Sequence, residues 1–162
     1  MLEDKRRTRG SIWNWRSVRD RFPRAFKGKV PSQKRGNEGP EMDACIYRGY
    51  MAYGAEFLEA LDGRFGCVYW DREKKTLFMA RDWIGETPLH WIATAKGFVV
   101  ANDIATLRDA AAGAYDYRYV RALPQAKHLE VDLSRVERGC VAETARYSSR
   151  SEERRVGKEC RL

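Results

Sequence analysis

The chain is poor in the residues that hold metals or carry nucleophilic chemistry, with two histidines and four cysteines in 162 residues. Cys45, Cys67, Cys140 and Cys160 form no C-x-x-C pair and have no histidine cluster beside them. Neither a zinc site nor a disulfide framework is indicated, and free thiols are expected. His90 and His128 have no carboxylate or thiol at motif spacing, so both are expected to be structural or surface residues. No apolar run approaches the roughly 18 residues that a membrane helix needs. The opening MLEDKRRTRG has no apolar segment after its charges and does not resemble a secretory signal, so the cytoplasm is the expected compartment. No internal repeat is visible.

What is present suits a single folded domain: 43% of residues are apolar and 12% aromatic. The formal charge of +8 is unevenly placed, because residues 1–36 hold 12 Lys/Arg against three Asp/Glu. A basic run of this kind is read first as a solvated face, and it carries no recognisable nucleic-acid motif. Trp13 and Trp15 lie among the arginines and could stack on bases. A strand and the turn after it is the plainer reading for them.

Residues 10–22 read as a short strand followed by a helix, and residues 23–40, with Pro23, Gly28, Pro31, Gly36, Gly39 and Pro40, as a loop. From Glu41, Met42, Cys45, Ile46 and Met51 repeat near the helical period, with Gly49 or Gly54 as the stop. A second helix is expected over Ala55–Leu61. Phe65–Trp70 and Thr76–Ala80 read as a hairpin across the charged turn DREKK, and His90–Thr94 with Gly97–Ala101 as another. A helix over Ile104–Ala112 and a strand over Leu129–Leu133 complete the reading. Antiparallel hairpins flanked by helices define an α+β fold.

One stretch spells out more than its turns. Leu61, Gly63, Phe65, Asp71, Ala80, Arg81, Asp82, Gly85, Pro88, Leu89, Ala101, Asn102, Asp103 and Leu107 fall in the order Leu-x-Gly-x-Phe, apolar strand to Asp, Ala-Arg-Asp-x-x-Gly-x-x-Pro-Leu, and a closing Ala-x-x-x-x-x-Leu. This resembles the class II glutamine amidotransferase half of the asparagine synthetases, and GSIWNW resembles that family's Asn-Gly-Glu-Ile-Tyr-Asn strand. The resemblance implies a partial four-layer αββα domain of the N-terminal-nucleophile hydrolase type over residues 1–149. It also implies glutamine as substrate and a C-terminal synthetase domain that uses ATP and Mg. That domain's Ser-Gly-Gly-x-Asp-Ser phosphate loop does not occur here.

Family chemistry requires a cysteine at residue 2 whose α-amine is the general base. Residue 2 is Leu2, so the resemblance implies that a preceding segment with the nucleophile is missing and that the chain is inactive as given. The family's oxyanion hole, an Asn side chain and the next Gly N–H, maps onto Arg9 and Gly10, with Ser11 following. Only the glycine fits, and losing one such donor costs about a hundredfold to a thousandfold in rate. The Asp that binds the substrate ammonium maps onto Gly39, with Glu38 next to it as a possible substitute. Arg81 and Asp82 are read as a local ion pair bracing the turn into Gly85 and Pro88, a scaffold rather than a catalyst. No metal site is implied. Cys45 and Cys67 are expected to pack as small core hydrophobes. Residues 150–162, RSEERRVGKECRL, resemble a translated sequencing adapter; a charged linker is the alternative. Two rivals to an amidotransferase half stay open: an amidotransferase-like scaffold that has lost catalysis, and a basic nucleic-acid-binding module.

Overall fold

A computed structural model describes residues 9–26, 40–94, 97–114, 116–134 and 145–146. In chain order these form β1 (Arg9–Ile12), α1 (Trp15–Arg21), α2 (Pro40–Tyr53), α3 (Ala55–Ala60), β2 (Gly63–Asp71), β3 (Thr76–Arg81), β4 (His90–Thr94), β5 (Gly97–Ala101), α4 (Ile104–Ala111), β6 (Arg121–Ala122), β7 (Lys127–Asp132) and β8 (Ala145–Arg146). Two antiparallel sheets result, ordered β1-β2-β3-β7-β8 and β5-β4-β6.

The period-two alternation of the strands sorts side chains into three cores. Phe65 and Cys67 of β2 and Phe78 and Ala80 of β3 point to one face, where Trp15, Val18, Phe22, Met42, Ile46, Phe57 and Leu58 of α1 to α3 cover them. The intervening Val68, Trp70, Leu77 and Met79, with Leu129 and Val131 of β7, face the second sheet and meet Trp91, Phe98 and Val100. The outer face of that second sheet, Ile92, Val99 and Ala101, is covered by Leu107 and Ala111 of α4. The order is therefore helices, sheet, sheet, helix. This is the four-layer α+β arrangement expected from the sequence.

Local chemistry explains the boundaries. Helix α2 runs through Gly49 and stops at Gly54, whose φ of 68° suits glycine. Gly49 matters for packing instead. A Cβ there would stand within the ring of Phe57, so the missing side chain lets α2 lie against α3. Asp103 caps α4 by accepting from the Thr106 amide at 2.8 Å.

Several expectations need correcting. Trp15 is the first residue of α1 and wholly buried, so it is closed to base stacking, whereas Trp13 is exposed. Met51 is 45% exposed and lies off the packed face of α2. Strand β7 begins two residues before the expected Leu129, because Lys127 and His128 pair with β8. No helix among the described residues is long and apolar enough to cross a membrane.

Candidate functional site

The tightest polar construction in the molecule is built on Asp82, which is buried without water contact where β3 ends. Its main-chain N–H continues the β2–β3 ladder by donating to Phe65 O at 2.9 Å, but its carbonyl has turned away to accept from Ala126 N at 3.0 Å. The side chain takes over the vacated place in the ladder. Oδ2 accepts from the Phe65 amide at 3.2 Å, while Oδ1 gathers the amides of Ile84 at 2.9 Å, Gly85 at 2.6 Å and Glu86 at 3.4 Å. One carboxylate thus serves as ladder partner and turn cap together.

Arg81 completes the brace. Its guanidinium donates to Leu123 O at 2.8 Å and to the carbonyl of Gly85. Gly85 has a φ of 77°, and a Cβ there would press on Gln125 and Arg81. Asn102 Nδ2 holds Pro88 O at 3.0 Å, and Leu123 N donates to Leu89 O at 2.8 Å. These hydrogen bonds of both side chains run to main-chain partners, amides for Asp82 and carbonyls for Arg81. The two side chains also attract each other: the Asp82 charge works against the burial that lowers the Arg81 pKa. The loop they hold spans from the first sheet to the second, and so fixes how the sheets face.

Next to this brace lies β1, an edge strand with no partner on its outer side among the described residues. Its register pairs Arg9 with Gly66, Gly10 with Phe65, Ser11 with Arg64 and Ile12 with Gly63. Both polar main-chain groups of Phe65 are spent on Asp82. Gly10 and Phe65 are therefore a non-hydrogen-bonded pair, whereas Arg9 and Ser11 bond across to Gly66 and Arg64. Trp13, in the same parity as Arg9 and Ser11, confirms it by donating to Asp62 O at 2.8 Å. The N–H and C=O of Gly10 consequently point away from β2, to the side of β1 where no other described strand pairs. Sequence reasoning placed Gly10 in the oxyanion slot; it missed the strand register that decides which way the amide faces. Asn14, the last residue of the matching motif, holds the strand exit by donating to Ala60 O at 2.7 Å and accepting from Asp62 N at 2.9 Å.

The other candidates fall elsewhere. Glu38 and Gly39, the remaining slots for substrate, lie outside the described residues, as do Cys140, Cys160 and the segment 150–162. Cys45 of α2 and Cys67 of β2 are both buried in the core between the helices and the first sheet. Burial pushes the Cys45 thiol up to about 12 and that of Cys67 well above its ordinary value, Asp43 adding to the latter. Neither supplies a thiolate at neutral pH. No group of three or more His, Cys, Asp or Glu among the described residues is placed to hold a metal ion.

His128 is 7% exposed, with its ring 4.8 Å from Tyr50 and 6.3 Å from Phe78. Burial lowers its pKa. The folded state therefore binds this proton less well than the unfolded chain does. Its contribution is complete above the unfolded pKa of about 6.5 and is lost as the pH falls below that. The urea midpoint is expected to drop between pH 7.5 and pH 5, and to drop less in His128→Gln. Equal slopes in the two proteins would assign the dependence to other groups.

A four-layer αββα sandwich of helices and antiparallel sheets fits a domain of the N-terminal-nucleophile amidotransferase class. Residues 7–151 match the family described as glutamine amidotransferase domain, and the chain belongs to that family. Among its relatives are proteins of Mycobacterium bovis and Mycobacterium tuberculosis named "Putative asparagine synthetase (glutamine-hydrolyzing)". Each is 29% identical over 144 residues, covering 82% of this chain. The chain spans 21% of the length of these relatives. It is an asparagine synthetase-like glutamine amidotransferase domain.

Proposed function

We propose that this domain serves to release ammonia from glutamine for an ATP- and Mg-dependent synthetase domain that amidates aspartate or a related carboxylate. The observation that carries the reading is the outward amide of Gly10. A tetrahedral intermediate at an amide carbon needs a fixed donor for its oxygen, and a glycine on a sheet edge offers one with no side chain in the way. Turnover further requires a thiolate nucleophile. Neither Cys45 nor Cys67 is open to a substrate, so the nucleophile must come from outside the described residues.

With no cysteine among the described residues open to a substrate, the 162-residue chain by itself is expected to release no glutamate from glutamine above a no-protein control. The complete gene product, given ATP, Mg and aspartate, is expected to make the amide with either glutamine or ammonium as nitrogen source. A complete protein that uses ammonium and never glutamine would support the second reading, a scaffold that has given up hydrolysis. Two residues favour that alternative: Arg9 stands where the family has the Asn of its oxyanion hole, and Gly39 where it has the ammonium-binding Asp.

A further inference from the structure

We infer that Asp82 is a positioning residue for the amide of Gly10, acting through Phe65. The inference rests on the reading of Gly10 as the oxyanion donor. In an extended strand the N–H and C=O of one residue point to the same side, and those of its neighbours to the other. The pairs Cys67–Ala80, Tyr69–Phe78 and Asp71–Thr76 set this parity along β2, and Phe65 with Asp82 is the end pair of the same series, nearest Gly10. Phe65 is committed twice by Asp82, once to its main-chain N–H and once to its carboxylate Oδ2. In this parity Arg64 and Gly66 face β1 and pair with Ser11 and Arg9, and the Asp82 carboxylate anchors the end of β2 that carries them. Gly10, between Arg9 and Ser11, is left facing outward.

The carboxylate is needed because the ordinary ladder acceptor at this position, the Asp82 carbonyl, is engaged by Ala126 on the way to β7. Without it, the end of β2 nearest Gly10 would keep one main-chain bond to Asp82 where it now has two. A one-residue slip or a bulge there would exchange the parities of Gly10 and Ser11. Oδ1 has a separate role in the turn. Asparagine separates the two roles, since its single carbonyl oxygen can keep the amides of Ile84 and Gly85 while its NH2 meets the Phe65 N–H as donor against donor.

The test is amide hydrogen exchange by NMR on the 162-residue chain. In the unsubstituted protein Ser11 is expected to be protected and Gly10 not, with a through-hydrogen-bond coupling from the Phe65 nitrogen to the side-chain carboxyl carbon of Asp82. In Asp82→Asn the Ser11 amide is expected to exchange at least about tenfold faster, while Gly85, Val99 and Leu107 stay within about threefold. Conservative replacement by Glu is not expected to restore the pattern, because the longer side chain cannot occupy the ladder position.

A coupling to the main-chain carbonyl of Asp82, protection of Gly10 in place of Ser11, or an unchanged Ser11 in Asp82→Asn would each overturn the inference. If that variant does not fold, the coupling and the Gly10/Ser11 pattern of the unsubstituted chain decide. A null glutaminase assay would leave this exchange pattern untouched and would bear only on the proposed function.

Discussion

Asp82→Ala is expected to lower the unfolding free energy by about 3–5 kcal/mol, a large share of the roughly 5–15 kcal/mol that holds a domain of this size together. The alanine removes an acceptor shared by four amides. Their surroundings differ. Ile84 and Glu86 are exposed and can turn to water, whereas Phe65 is 1% exposed and cannot. A buried donor left without a partner costs about 1–3 kcal/mol, and hydrogen bonds to a charged acceptor are worth about 1.5–3 kcal/mol each. The half-buried Gly85 adds a smaller loss of the same kind.

The comparison that isolates burial is Asp103→Ala. Asp103 accepts from both the amide and the hydroxyl of Thr106, at 2.8 Å each, but on the surface. Losing an N-cap of this type costs about 1 kcal/mol. Urea denaturation of the two variants beside the parent is the measurement. An Asp82→Ala protein no less stable than Asp103→Ala would mean that the buried brace contributes no more than a surface cap.

The layers of the fold were legible because they depend on periodicity, which a sequence carries residue by residue. The alternation in FGCVYW and TLFMA assigns each side chain to the helical or the inter-sheet core without any knowledge of the partner. For the same local reason the stop of α2 narrows to Gly49 or Gly54 and the helix over Ile104–Ala112 is readable, whereas the Asp103 cap goes unread. Residues whose surroundings come from afar were not legible. Met51 keeps the helical period of α2 but lies beyond the reach of the sheet. Trp15 looks like a surface tryptophan among arginines until the helix that begins with it is laid on Met42 and Phe57.

The candidate site divides in the same way. Arg81, Asp82, Gly85 and Pro88 are picked out by the family resemblance, which implies an Arg81–Asp82 ion pair bracing the turn. What Asp82 binds could not be recognised, because Phe65 lies 17 positions away and is chosen by the β2–β3 register. The direction of the Gly10 amide is more remote still. It follows from strand parity, which no single residue encodes and which the β1–β2 and β2–β3 registers set together.

That parity makes a second large effect predictable. Gly10→Pro is expected to leave the fold intact and to lower glutamine-dependent amidation in the complete protein by about a hundredfold to a thousandfold, the usual consequence of losing one oxyanion-hole donor. Proline inside a sheet normally costs a ladder bond, but it is tolerated on an edge strand where the missing N–H faces outward. Gly10 is at such a position, since Arg9 and Ser11 make the bonds to β2. Proline also restricts the residue before it to extended backbone, which Arg9 already adopts within β1. The thermal midpoint should therefore move by no more than a few degrees. The same substitution one position on, Ser11→Pro, removes a bond to Arg64 and should lower the midpoint much further. A Gly10→Pro protein that unfolds as readily as Ser11→Pro would show that the Gly10 amide belongs to the ladder. One that folds and hydrolyses glutamine at the parent rate would show that the outward amide is not what stabilises the oxyanion.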